Sequence, residues 1–111
     1  MESAKAITRF VRISPRKARY AAALMRGRDV KGAALQLAYS KLRGGRLLKK
    51  TLDSAVANAE TQLDARREEL RVVEVRVDPG PILRRAKARS RGSSVPVNKR
   101  TSHFTVVVAK G

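Results

Sequence analysis

Apolar residues recur along this chain with two different periods, and the places where the period changes mark its elements. Across residues 46–63, Leu48, Leu52, Ala55, Val56, Ala59 and Leu63 fall at three- and four-residue intervals, the spacing of one helix face. This is the strongest periodic signal in the chain, and it predicts a helix that serves as the spine of the core. Val30, Ala33, Ala34, Leu37 and Ala38 repeat the same spacing after Asp29, a residue suited to an N-cap, and predict a shorter helix. Ser14-Pro15 predicts another helix start, with Ser as cap and Pro in the first turn. That helix is expected to run to Arg26 and stop at Gly27. It would carry Ala18, Ala21, Ala22 and Met25 on one face and Arg16, Arg19 and Arg26 on a separate stripe. Gly44-Gly45 reads as a break within residues 40–45.

Elsewhere the period falls to two. From residue 70 to 78, Val73, Val75 and Val77 alternate with Glu74, Arg76 and Asp78, the pattern of a half-buried strand. A matching strand is predicted over 101–109, with Phe104, Val106 and Val108 on one side. Residues 3–13 have β-branched and aromatic content suited to a further strand, but their alternation does not say which face is buried.

Between the last two strands lie about twenty residues of a different character. Asp78-Pro79-Gly80-Pro81 opens the segment, and the prolines favour extended backbone at its base. Gly80 permits a bend, and Gly92 permits a tight turn or a close approach to a ligand. Folded back on itself, the segment has about ten residues per side and could project ~30 Å from the body. It is poor in apolar residues and cannot bury enough hydrocarbon to order itself in water, so it is expected to be mobile alone and ordered on a polyanion.

Charge sharpens this division. The 111 residues carry a formal net charge of +17. Residues 1–28 hold eight basic side chains and one acidic, residues 29–78 ten and eight, and residues 79–111 eight and none. A nearly neutral body is flanked by two cationic flaps. Solubility alone asks for a net charge of only about 2–8 in a small domain, so the asymmetry points to nucleic acid. In the arm Arg84, Arg85, Arg89 and Arg91 outnumber Lys87. The planar guanidinium grips phosphate with two parallel hydrogen bonds and stacks on bases, which favours a fitted contact with folded RNA over a loose counterion tail. Only four residues are aromatic, so no rich platform for stacking single-stranded bases is evident.

Catalytic chemistry finds little support. His103 is the single histidine and has no nucleophile or orienting carboxylate beside it in sequence; it is expected to hydrogen-bond RNA or to pack at a strand start. Glu68-Glu69 reads as a solvated pair in a charged loop. With no cysteine there is no disulfide frame, and with one histidine no zinc site. The glycines are not followed by the Gly-Lys-Ser/Thr ending of a phosphate loop. No metal, cofactor or enzymatic activity is expected. No secretory h-region and no apolar run near ~20 residues is present, so a cytoplasmic protein with no membrane partner is the expectation. Three rivals are weaker. A DNA-compacting protein accounts for the charge but not for an arm set between strands. An RNA-processing enzyme would rest on His103 alone. A membrane-active peptide lacks a basic amphipathic helix.

Five ordered motifs then converge. They are Arg12-Ile13-Ser14-Pro15-Arg16-Lys17-Ala18-Arg19, Met25-Arg26-Gly27, Ser54-Ala55-Val56-Ala57-Asn58-Ala59-Glu60, Val77-Asp78-Pro79-Gly80-Pro81, and Lys99-Arg100-Thr101-Ser102-His103 before a Thr-Val-Val-Val strand. In these, over essentially its whole length, the chain closely resembles the bacterial form of the L-twenty-two family of large-subunit ribosomal proteins. The resemblance implies an α+β fold, three helices packed on a small three-stranded antiparallel sheet with one long protruding β-hairpin. It implies a single domain over residues 1–111, with the hairpin at about 78–100. It implies a structural constituent of the large ribosomal subunit that binds large-subunit ribosomal RNA, neighbours other large-subunit proteins, does not form homo-oligomers, and lines the nascent-peptide exit tunnel with its hairpin tip. Carried onto matching positions, the RNA-binding residues are Arg12, Arg16, Lys17, Arg19 and Arg26 on the body, Arg84, Arg85, Lys87, Arg89 and Arg91 along the arm, and Lys99, Arg100, Ser102 and His103 at its return. The tip, beside which the nascent polypeptide would pass, is Ala86, Lys87, Ala88, Arg89, Ser90 and Arg91. Two departures stand out. Family members often carry a bulky apolar residue and a proline at the tip, where this chain has Ala86-Lys87-Ala88, and residues 93–98 are less basic than is common.

Overall fold

The computed structural model describes residues 3–88, 92 and 94–110. Its elements run β1 (Ser3–Val11), α1 (Pro15–Ala22), α2 (Val30–Tyr39), α3 (Arg43–Gln62), a 3₁₀ turn (Arg67–Glu69), β2 (Leu70–Pro79), β3 (Leu83–Ala88), β4 (Ser94–Lys99) and β5 (Ser102–Lys110). Strands β1, β5 and β2 form an antiparallel sheet in that order, so the last strand lies in the middle. The three helices cover one face of it, giving the expected α+β class. Strands β3 and β4 pair only with each other, from Leu83↔Lys99 to Ala88↔Ser94. The molecule measures 62 × 25 × 16 Å with a radius of gyration of 16.8 Å, against about 13 Å for a compact chain of this length.

The helical stripe of α3 is the spine it promised to be: Leu48, Leu52, Ala55 and Ala59 are fully buried. From β5, Phe104, Val106 and Val108 meet them in the same cluster. Ala4 and Ala6 settle which face of β1 is inward. Thr51 is buried among these apolar groups and is satisfied by a hydroxyl–hydroxyl hydrogen bond of 2.8 Å to Thr8.

Three expectations are corrected. Helix α1 ends at Ala22, not Arg26. The chain there tightens to three-residue bonds, Leu24 N–H to Ala21 O at 3.0 Å and Met25 N–H to Ala22 O at 3.2 Å. Nothing in the local residues disfavours helix. Docking decides: Met25 is buried, Gly27 turns at φ +72°, and Arg28 O accepts from Val72 N–H at 2.8 Å on the edge of β2. Next, Gly44-Gly45 is not a break but the buried first turn of α3. A Cβ on Gly44 would stand 3.3 Å from the Ala18 Cα, so the glycine lets α3 approach the backbone of α1. Finally, Val73 is 54% exposed, and Leu70, Val72, Val75 and Val77 face the core. A β-bulge is responsible. Val72 pairs with Val108 and Glu74 with Val107, so Val73 is an extra residue that reverses the alternation.

Side chains reach both edges of the sheet. Arg19 Nη2 donates to Val77 O at 3.1 Å and Arg26 Nη2 to Val75 O at 3.1 Å, both on β2. Asn58 Nδ2 donates to Lys5 O at 2.9 Å on β1. Each contact occupies a carbonyl that an added strand would otherwise use.

Candidate nucleic-acid interface

The arm joins the body through a braced root. Gly80 N–H donates to Thr101 O at 3.0 Å, and Thr101 Oγ1 donates to Pro81 O at 2.6 Å. The sequence suggests that Gly80 bends the chain. Its role is instead close approach, since a Cβ there would lie 2.5 Å from Thr101 Oγ1 and 3.1 Å from a His103 ring carbon. Gly80→Ala is therefore expected to displace Thr101 and cost about 1–3 kcal/mol, read as a lowered denaturation midpoint. An unchanged midpoint would show that the root tolerates the methyl group.

Above this root, between arm and helices, opens a cleft of about 930 Å³. Three segments supply its cations: Arg12 and Lys17 from the β1–α1 region, Arg43 from the start of α3, and Lys99 and Arg100 from the returning limb of the arm. Among the described residues no carboxylate lines it. Ser14 holds the start of α1 in place, its Oγ accepting from Lys17 N–H at 3.3 Å. The remaining walls include Ile13, Tyr20, Leu42, Gly44 and Asn98. Five cations facing one space without a counter-charge repel each other, an arrangement that an anionic ligand relieves.

Of the sequence-predicted residues, the cleft brings together Arg12, Lys17, Lys99 and Arg100. Arg16 is exposed on α1 outside it. Arg19 and Arg26 are exposed, yet each commits one guanidinium nitrogen to β2, so part of each side chain serves the fold. Ser102 is fully buried and its hydroxyl donates to Ile13 O at 2.7 Å, so in this structure its side chain serves the fold. His103 packs against Phe10 at the start of β5. Its Nδ1 accepts from Phe10 N–H at 3.1 Å, and the two rings meet edge to face at 5.0 Å. A nitrogen that accepts carries no proton, so in this arrangement the ring proton sits on Nε2.

Along the arm, Arg84 and Arg85 are exposed neighbours in β3 and face opposite sides of the ladder. Ala86, Lys87 and Ala88 complete β3, paired with Pro96, Val95 and Ser94. Arg89, Ser90 and Arg91 lie outside the described residues. Gly92 has φ +72°, the left-handed backbone of a turn.

Arg43 escapes the sequence pattern because Gly44-Gly45 reads there as a break. Taken as small residues at a helix crossing, the two glycines would start α3 at Arg43 and point to it. Glu68 and Glu69 are not a catalytic dyad: Glu68 pairs with Lys31 at 3.6 Å and Glu69 with Lys110 at 3.9 Å. A hydrogen bond from the Glu68 backbone, aided by Lys31, holds the Glu68 carboxyl below its ordinary range, opposite to what a general acid needs. Among the described residues no helix is long and apolar enough to cross a membrane.

Comparison with known proteins identifies the chain's relatives. The family described as ribosomal protein L22p/L17e matches residues 6–109. The protein named large ribosomal subunit protein uL22 from Protochlamydia amoebophila is 69% identical, over 98% of each chain. Its counterparts from Chlamydia muridarum and Chlamydia abortus are 58% and 57% identical, over 96% of each chain.

Proposed function

The chain belongs to the ribosomal protein L22p/L17e family, a family of structural proteins rather than enzymes, and from that premise we propose that it is a constituent of the large ribosomal subunit. In this reading it is a single domain over residues 1–111, acts in the cytoplasm without forming homo-oligomers, and contacts large-subunit ribosomal RNA and neighbouring ribosomal proteins. The observation that carries the reading is the cleft, where among the described residues cations from three separate segments and no carboxylate converge, at the root of an arm that holds no acidic residue after Asp78.

The mechanism is scaffolding. Folded RNA crowds phosphates from remote helices, and cations fixed on a packed body neutralise them together and release counterions. Arg12, Lys17, Arg43, Lys99 and Arg100 would clamp one such crossing, with Arg16 and the free donors of Arg19 and Arg26 on the adjoining surface. Arg84, Arg85 and Lys87, with Arg89 and Arg91 beyond them, would extend the contact inward along the arm. Such RNA is recognised chiefly by shape, backbone and 2′-hydroxyls. The tip, Ala86 to Arg91, would line the exit tunnel and meet the nascent polypeptide. Its small Ala86 and Ala88 would leave more room there than a bulky apolar residue and proline.

The tagged chain is expected to co-sediment with large subunits through a high-salt cushion. Replacing Arg12, Lys17 and Arg43 together by Gln should release it and lower the salt slope of RNA binding by about 0.7–0.9 for each phosphate no longer neutralised. Persistence of the triple variant on the particle would remove the cleft from the interface. Equal affinity of the unaltered chain for duplex DNA and for large-subunit RNA fragments would favour the DNA-compacting rival.

A further inference from the structure

The cleft at the arm's root offers two kinds of surface, and phosphate binding uses only one. Beside its cations stand Tyr20, 58% exposed, and Leu42, 42% exposed. Aromatic side chains are scarce in this protein, and the other three are placed elsewhere. Phe104 is buried, Phe10 meets His103, and Tyr39 stands on α2 outside the cleft. Tyr20 comes from the α1 face next to the core-facing Ala18, Ala21 and Ala22, one turn from Lys17, so ring and ammonium share one wall.

An RNA duplex has no use for that wall. It presents phosphates and 2′-hydroxyls, while its base faces are hidden in the stack. An unpaired nucleotide presents both a π face and a phosphate, which is what an aromatic ring among cations binds. A volume of about 930 Å³ lies within the ~300–1,000 Å³ typical of sites for small organic groups. We infer that the cleft takes an unpaired nucleotide of an RNA strand, its base stacked on Tyr20 and its flanking phosphates held by the cations of the three segments. This rests on the RNA-binding reading above and narrows it. A body otherwise suited to backbone and shape has one position that selects a bulged or looped-out base.

The test uses the full chain carrying Tyr39→Phe, in which Tyr20 is the only tyrosine. The probes are an RNA of about ten nucleotides made of adenine and cytosine, which cannot pair with itself, and the duplex it forms with its complement. Upfield shifts of the Tyr20 ring protons are expected in NMR on adding the single strand and not the duplex. Tyr20→Leu should weaken single-strand binding about tenfold, while Tyr20→Phe, which keeps the ring, should change it less than about twofold. Unmoved ring signals, or the same loss for Tyr20→Leu on both probes, would overturn the inference and leave the RNA-binding reading standing. A free mononucleotide binding as tightly as the strand would overturn the assignment to a strand. Failure of the unaltered chain to bind either RNA would remove both readings together.

Discussion

Replacing residues 83–99 by a short glycine-rich turn is expected to leave a folded body that has lost most of its hold on RNA. The excision removes Arg84, Arg85, Lys87, Arg89, Arg91 and Lys99. If each meets a phosphate, the slope of log affinity against log salt falls by about 4–5, and affinity at moderate salt drops on the order of 10³-fold. Stability should hardly move. Among the side chains whose burial is described, none from Gly80 to Arg100 belongs to the buried core cluster, and β3 is paired with β4 rather than with the body's sheet. The bonds that seat the root, Gly80 N–H to Thr101 O and Thr101 Oγ1 to Pro81 O, lie outside the excised segment. A thermal midpoint within about 4 °C of the parent is expected by circular dichroism. Loss of cooperative melting would refute the division into body and arm. An unchanged salt slope would refute the role of the arm's cations.

Phe104→Ala should have the opposite profile. Phe104 heads the largest fully buried side chains and sits in the central strand, across from Thr8 on β1 and Val77 on β2. Removing its ring leaves a cavity bounded by two neighbouring strands and a helical layer that cannot all collapse inward, at a cost of about 3–5 kcal/mol. Domains of this size have only about 5–15 kcal/mol in hand. The thermal midpoint is expected to fall by roughly 15–30 °C. RNA that binds only the folded form should recover part of the loss by mass action, so the shift should shrink when RNA is added. A fall of only a few degrees without RNA would mean that the core repacks around the missing ring.

The two variants separate what holds the protein together from what it holds. The body is a two-layer core, helices on one face of the sheet. Arg19 and Arg26 sit at the boundary, each with one nitrogen on a β2 carbonyl and, among the described residues, further donors left over. They show why a basic residue in a cationic protein cannot be assigned to RNA by charge alone.

The sequence by itself determined the helical stripe of α3, the alternation of β5, the break between body and arm, and the cationic character of the arm. Each depends on periodicity or composition within one segment, and each is legible because a face must be apolar to be buried. It also revealed the family, since five motifs in order are a property of the chain alone. Only the tertiary structure decided the rest. The bulge at Val73 depends on registry with β5, a partner distant in the chain. The early end of α1 depends on where Arg28 meets β2. The burial of Gly44 depends on Ala18 in another helix, and the loss of Ser102 to Ile13 on a strand end folding over the β1–α1 turn. The cleft belongs to the same class. Arg12, Lys17, Tyr20, Arg43 and Lys99 are spread over most of the chain, and no local pattern joins them. Packing joins them, because the helices bury their apolar faces on one side of the sheet and so bring the charged ends of three segments to the root of the arm.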